Sequence, residues 1–113
     1  MITRRNRFHG YGSLNAVYKQ GSTVRGQLIS LRYGQRDVSR PYRVAVVVSK
    51  KVHKSAVVRN RIRRRIYEAV RLQGDTIPGG TDLVFSIFSD KVASMESAAL
   101  SAAVGELLKK ALN

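Results

Sequence analysis

KKVHKSAVVRNRIRRRIYEAVRL occupies residues 50–72, and its reading decides how the rest of this 113-residue chain is understood. Arginine fills five of the seven positions 59–65, yet Val58, Ile62, Ile66, Ala69 and Val70 recur at the spacing of one side of a helix. Advancing about 100° per residue from Val58 gathers Ile62, Ile66, Ala69, Val70 and Leu72 on one face. Asn60, Arg61, Arg63, Arg64, Tyr67 and Arg71 fall on the other. Arg59 and Arg65 lie at the borders, where a long stem covers apolar surface while the charged head reaches out. Ser55 is placed to cap this helix, and Gln73-Gly74 to stop it.

Such a helix needs a core under one face and an anion over the other. A merely solvated basic face is the weaker reading, because the exposed arginines repel one another with only Glu68 nearby to compensate. Phosphate supplies the missing charge, and the planar guanidinium matches its geometry. Asn60 adds an amide suited to a sugar hydroxyl, a base edge or a water, although an ordinary surface residue fits its spacing equally well. Lys50 and Lys51, just before the helix, either extend the phosphate track or form a solvated pair.

The charge of the whole chain agrees with a polyanionic partner. It has 21 basic and 7 acidic residues, a formal net of +14. Residues 1–67 hold 17 Lys/Arg against Asp37 alone, a net of +16, while residues 68–113 hold 4 against 6, a net of −2. Self-repulsion of this size in a small domain points to a polyanion that meets the first two thirds of the chain. The length, with 43% hydrophobic residues, suits one compact domain. There is no cysteine, which excludes disulfides, thiolate nucleophiles and cysteine-ligated zinc. The charged N-terminus has no apolar run behind it, and no stretch approaches the roughly 20 apolar residues of a membrane span. The expectation is a soluble cytoplasmic protein with no membrane partner.

Residues 1–13 are basic and aperiodic, and are expected to form a flexible arm ahead of a single domain over residues 14–113. Ser13 can cap a short helix carrying Leu14, Val17 and Tyr18 before Gly21 ends it. Residues 24–33 (VRGQLISLRY) and 42–49 (YRVAVVVS) read as strands. In the second, Val44, Val46 and Val48 face one way. After the central helix, residues 77–80 (IPGG) are turn chemistry, and residues 82–88 (DLVFSIF) are a third strand. Asp90 is expected to open a last helix with Leu100, Val104, Leu107, Leu108 and Ala111 as its apolar stripe. Gly105 inside it should weaken it by about 1 kcal/mol relative to Ala. The order is α, β, β, α, β, α, and the central strand-helix-strand implies a parallel pair with the helix as crossover.

No catalytic constellation accompanies these elements. His9 and His53 are isolated from each other and from carboxylates, and the acidic residues are scattered, so neither an acid/base pair nor a metal cluster is visible. Gly10-Tyr11-Gly12 lacks the strand and lysine of a phosphate loop. The chain reads as a binder.

The run SKKVHKSAVVRNRIRRRIYE, residues 49–68, resembles the signature of the protein subunit of bacterial ribonuclease P. There, a strand ending in Ser-Lys-Lys leads to Ala-Val-x-Arg-Asn-Arg-x-Lys-Arg and a basic helix. Arg59, Asn60, Arg61 and Arg64 fall on that motif, Lys50 and Lys51 match the lysine pair, and Arg63 stands where a lysine is usual. The likeness extends to Leu14-Asn15-Ala16-Val17-Tyr18 before Gly21, to the strand at residues 82–88, and to the last helix.

The resemblance implies an α+β fold, an α/β sandwich of order α-β-β-(β)-α-β-α with a central mixed sheet. Its β-α-β crossover would be left-handed against the usual rule, ribosomal S5 domain 2-like. It also implies a function. The protein would bind a large catalytic RNA, one protein per RNA, through Lys50, Lys51, Arg59, Asn60, Arg61, Arg63, Arg64 and Arg65. The complex would remove the 5′ leader of precursor tRNA by Mg2+-dependent hydrolysis, with the RNA carrying the chemistry. A cleft holding Leu14, Tyr18, Leu31 or Arg32, and Tyr67 would receive the single-stranded leader, where aromatic residues stack bases without demanding sequence. Three positions depart from the family. Leu14 replaces a usual Phe, Leu31 or Arg32 replaces a frequent Tyr, and Tyr67 replaces a frequent Arg. A basic structural protein of the ribosome is the alternative from another class. An autonomous nuclease using His9 or His53 is the weakest.

Overall fold

A computed structural model describes residues 6–7, 21–36 and 38–112. Strands β1 (Ser22–Arg25), β2 (Ile29–Gln35) and β3 (Arg43–Val47) precede the helix α1 (Ala56–Leu72). A 3-10 turn (Gly74–Thr76), β4 (Thr81–Ile87), a second 3-10 turn (Asp90–Ala93) and α2 (Ser97–Leu112) follow. The strands form one mixed sheet in the order β1-β2-β4-β3, antiparallel except for the β3–β4 pair. That parallel pair is joined through α1, as the strand-helix-strand reading of the sequence expects. The helix expected at Leu14 to Tyr18, and all of the expected arm but Asn6 and Arg7, lie outside the described residues. Those two residues run beside β3. Arg7 forms a parallel bridge to Val44, and the Asn6 side chain donates to the Tyr42 carbonyl at 2.8 Å.

Residues 24–33, expected as one strand, are a hairpin. The chain reverses at Gly26, whose N–H donates to the Ile29 carbonyl at 2.8 Å, and Val24 then pairs with Leu31. A Cβ on residue 26 would stand 2.9 Å from that same carbonyl oxygen, so a side chain there would press on the turn. The β-branched and apolar residues on both sides of Gly26 disguise the reversal as one continuous run.

Sheet register explains the core. Leu31, Phe85 and Val46 align across β2, β4 and β3, as do Tyr33, Leu83 and Val44 two residues on, and successive pairs share one face. Ile62, Ile66, Ala69 and Val70 of α1 and Leu100, Val104, Leu107 and Leu108 of α2 are buried in the same cluster. Phe85, at its centre, is fully buried, and truncating such a residue to Ala costs about 3–5 kcal/mol. Arg32, Val84 and Ala45 share the opposite face.

The last helix begins later than the sequence suggests. Asp90 opens a four-residue 3-10 turn, capped by the Ser89 side chain on the Lys91 N–H, and α2 starts at Ser97. Buried Val92 pins that turn to the core as a separate anchor. Gly105, the expected weak point of α2, allows a close approach. The Gln73 amide donates to the Ala69 and Ser101 carbonyls, both at 3.1 Å, and a Cβ on residue 105 would meet its Oε1 at 2.7 Å. Gln73 thereby ties the C-terminus of α1 to the middle of α2.

Candidate nucleic-acid interface

The helix begins where the sequence places it, with the Ser55 hydroxyl accepting from the Val58 N–H and Gln73 as C-cap. Its basic residues divide into those held by the fold and those left outside it. Asn60, Arg61 and Arg64 are exposed along the crest, and Lys50 and Lys51 are exposed at the turn leaving β3. Among the described residues, Arg61, Arg64, Lys50 and Lys51 make no hydrogen bond or ion pair. Arg63 is half-buried and donates to the Asn60 Oδ1 at 2.5 Å, orienting that amide.

Arg59 and Arg65 have internal tasks. Arg59 donates to the carbonyls of His53 at 3.0 Å and Lys54 at 2.8 Å, while the His53 Nδ1 accepts from the Ser55 N–H at 3.0 Å. These bonds fix the connection between β3 and α1, and with it the approach of Lys50 and Lys51. Arg65 donates to the Val92 carbonyl at 2.6 Å and also to the Met95 carbonyl. Sequence spacing left it at the border of the basic face. The structure turns its head inward, because the loop before α2 presents bare carbonyls within its reach.

Tyr67 also departs from its expected exposure. It is half-buried against β3, and burial pushes its phenol above the ordinary value, opposed by a hydrogen bond from the Val46 backbone and by the charges of Arg7 and Arg63. The residues expected in one leader cleft are not gathered. Leu14 and Tyr18 lie outside the described residues. Leu31 is 0% exposed, in the core beside Phe85, so it reaches no surface. Arg32 stands on the opposite face, where its guanidinium donates to the Thr23 hydroxyl at 2.7 Å. The pleat thus buries Leu31 and turns Arg32 to the other face, so Arg32 and Tyr67 fall on opposite sides of the sheet.

Two features escaped the sequence reading. Asp82, 6% exposed, receives Arg43 at both carboxylate oxygens and Arg36 at one, each at 2.9 Å. Its only signal was an acidic residue at the head of an apolar run. The second is a groove of about 380 Å³ between α1 and α2, lined by Arg61, Arg64, Arg65, Glu68, Ala69, Leu72, Ser97, Leu100 and Ser101. Leu72, expected in the core, is 65% exposed there, since it lies at the edge of the apolar stripe and α2 does not cover it. The Glu68 carboxyl is lowered to about 2, and the hydrogen bond from Arg71 is the largest cause. Among the described residues no group of three or more His, Asp or Glu could hold a metal ion, and no helix is long and apolar enough to cross a membrane.

Comparison with known proteins agrees with this architecture. The family model described as Ribonuclease P matches residues 2–112. A ribonuclease P protein component of Clostridium kluyveri is 41% identical over 99 residues, 85% of each chain. One of Caldanaerobacter subterraneus is 36% identical over 94 residues, 83% of this chain and 78% of the relative. The solved RNase P protein of Staphylococcus aureus superposes with a TM-score of 0.80 at 23% identity, covering 96% of this chain and 98% of that one. That of Thermotoga maritima gives 0.78 at 22%, covering 94% and 97%. The chain belongs to the family of bacterial ribonuclease P protein components.

Proposed function

We propose that this chain binds the RNA subunit of ribonuclease P, one copy per RNA, and that the complex removes the 5′ leader of precursor tRNA in the cytoplasm. The observation that carries this reading is the crest of α1. Arg61 and Arg64 are exposed and unpaired among the described residues, on a helix fastened to its own fold by Arg59 and Arg65. A rigid helix holding free guanidinium groups outward is suited to phosphates whose positions are already set by a folded RNA. Lys50 and Lys51 extend the same track, and Asn60, oriented by Arg63, offers a polar contact to a sugar or base.

The hydrolysis would be carried by the RNA with Mg2+. On the far side of the sheet, Arg32 would meet the single-stranded leader.

Cleavage of precursor tRNA by the RNA subunit at low magnesium, with and without the purified chain, tests the proposal. Acceleration is expected, and equal rates would sink it. Replacing Arg61 and Arg64 together by Ala should lower the slope of log affinity against log salt by about 0.7–0.9 for each phosphate that is no longer neutralised. An unchanged slope would mean that the crest faces bulk solvent in the complex.

A further inference from the structure

The groove between α1 and α2 has a polarity along its length. Arg61 and Arg64 stand at one end, Leu72 and Leu100 form the apolar far end, and Glu68 lies between them, held by Arg71. Leu72, 65% exposed, lies about two to three helical turns from Arg64 and Arg61. Phosphate is attracted to the Arg61 and Arg64 end, whereas at Glu68, already paired with Arg71, it finds no free cation. A uniformly charged strand therefore does not fit the whole groove, and an uncharged apolar segment leaves the arginines without partners. What fits is a ligand with an anionic end and a flat, neutral end of modest size.

We infer that the groove receives a single unstacked nucleobase of the partner RNA, with the adjoining backbone phosphates on Arg61 and Arg64 and the base against Leu72 and Leu100. The Ser101 side chain lies beside that position and offers a hydroxyl to a base edge. The groove volume of about 380 Å³ is at the low end of small-ligand sites, appropriate to one base. This assignment rests on the RNA-binding reading above, and adds that α1 reads an unpaired nucleotide as well as a backbone.

Because the chain contains no cysteine, a photo-crosslinker can be attached at one chosen point. Ser101→Cys carrying an azidophenacyl group, bound to the RNA subunit and irradiated, is expected to join one unpaired nucleotide or its immediate neighbours. The same group on Ser22→Cys, in the edge strand β1, should not reach that nucleotide. Leu72→Ala should weaken RNA binding roughly three- to tenfold by removing apolar surface from under the base, with the salt slope unchanged. Its exposure spares the core from this change, and circular dichroism verifies the fold. The inference is overturned if the Ser101 conjugate gives no localised crosslink, or if Leu72→Ala binds like the parent, while the unmodified chain still accelerates cleavage. Absence of acceleration by the unmodified chain would instead defeat the functional reading beneath it.

Discussion

At the Asp82 end of the sheet, Arg36 and Arg43 converge on one buried carboxylate, whereas Arg61 and Arg64 on the crest of α1 meet no carboxylate among the described residues. The residue type is the same, and the sheet supplies the difference. Register aligns Arg43 with Asp82 on neighbouring strands, so their side chains leave the same face at hydrogen-bonding distance. Among the described residues, no strand lies beside the crest of α1. Arginines of the first kind hold the domain together, and those of the second kind are left exposed. Arg65 shows that the division does not follow sequence distance. It is the immediate neighbour of Arg64, yet its head is bound to the carbonyls of Val92 and Met95.

If this contrast is right, stability and RNA affinity should separate by residue. Among these polar contacts, Asp82→Ala should have the largest effect on folding, about 2–3 kcal/mol in urea denaturation. This is below the roughly 3–5 kcal/mol of a fully buried pair, because both arginines keep some access to water. A loss under about 0.5 kcal/mol would erase the distinction. Arg65→Ala should cost about 1.5–2 kcal/mol for two charge-assisted bonds to carbonyls, and should leave the salt slope of RNA binding near its parent value. A fall in slope equal to that of Arg64→Ala would move Arg65 back to the RNA face. Gln73→Ala should cost about 1 kcal/mol by releasing the tie between α1 and α2. Gly105→Ala should change stability by less than about 1 kcal/mol, because the gain in helix propensity is offset as Gln73 is displaced.

The smallest effect is electrostatic and local. The Glu68 carboxyl, followed by NMR, should titrate at about 2, and Arg71→Ala should return it toward the usual carboxylate range. Since the value is depressed in the fold, the pairing is fully present above the ordinary carboxylate range and is lost as pH falls through about 2. A normal value in the parent would mean that Arg71 does not hold Glu68 in solution.

Much of this molecule was legible in its sequence. The apolar positions of residues 58–70 forced a helix with a buried side, and the charge excess upstream of residue 68 named a polyanion before any fold was drawn. Ser55, Gln73 and the valines of β3 stand where local chemistry put them, because caps and alternation depend on nearest neighbours. The hairpin at Gly26 was not legible, since a reversal within a β-rich run is decided by which strand lies alongside. Leu72 and Tyr67 were misplaced for a related reason. A helical wheel gives directions but does not say which neighbours occupy them, and here α2 leaves Leu72 uncovered while β3 half-covers Tyr67.

By itself, then, the sequence determined the basic helix, its core face, the order of the elements described after it, and the family signature at residues 49–68. The first three follow from local spacing and composition, and the last from resemblance to a known family. Tertiary structure alone decided which arginines are anchored and which are open, put Leu31 in the core and Arg32 outside it, and left a groove beside the crest. Those outcomes depend on carbonyls, carboxylates and strands distant in sequence, whose positions exist only once the sheet has formed.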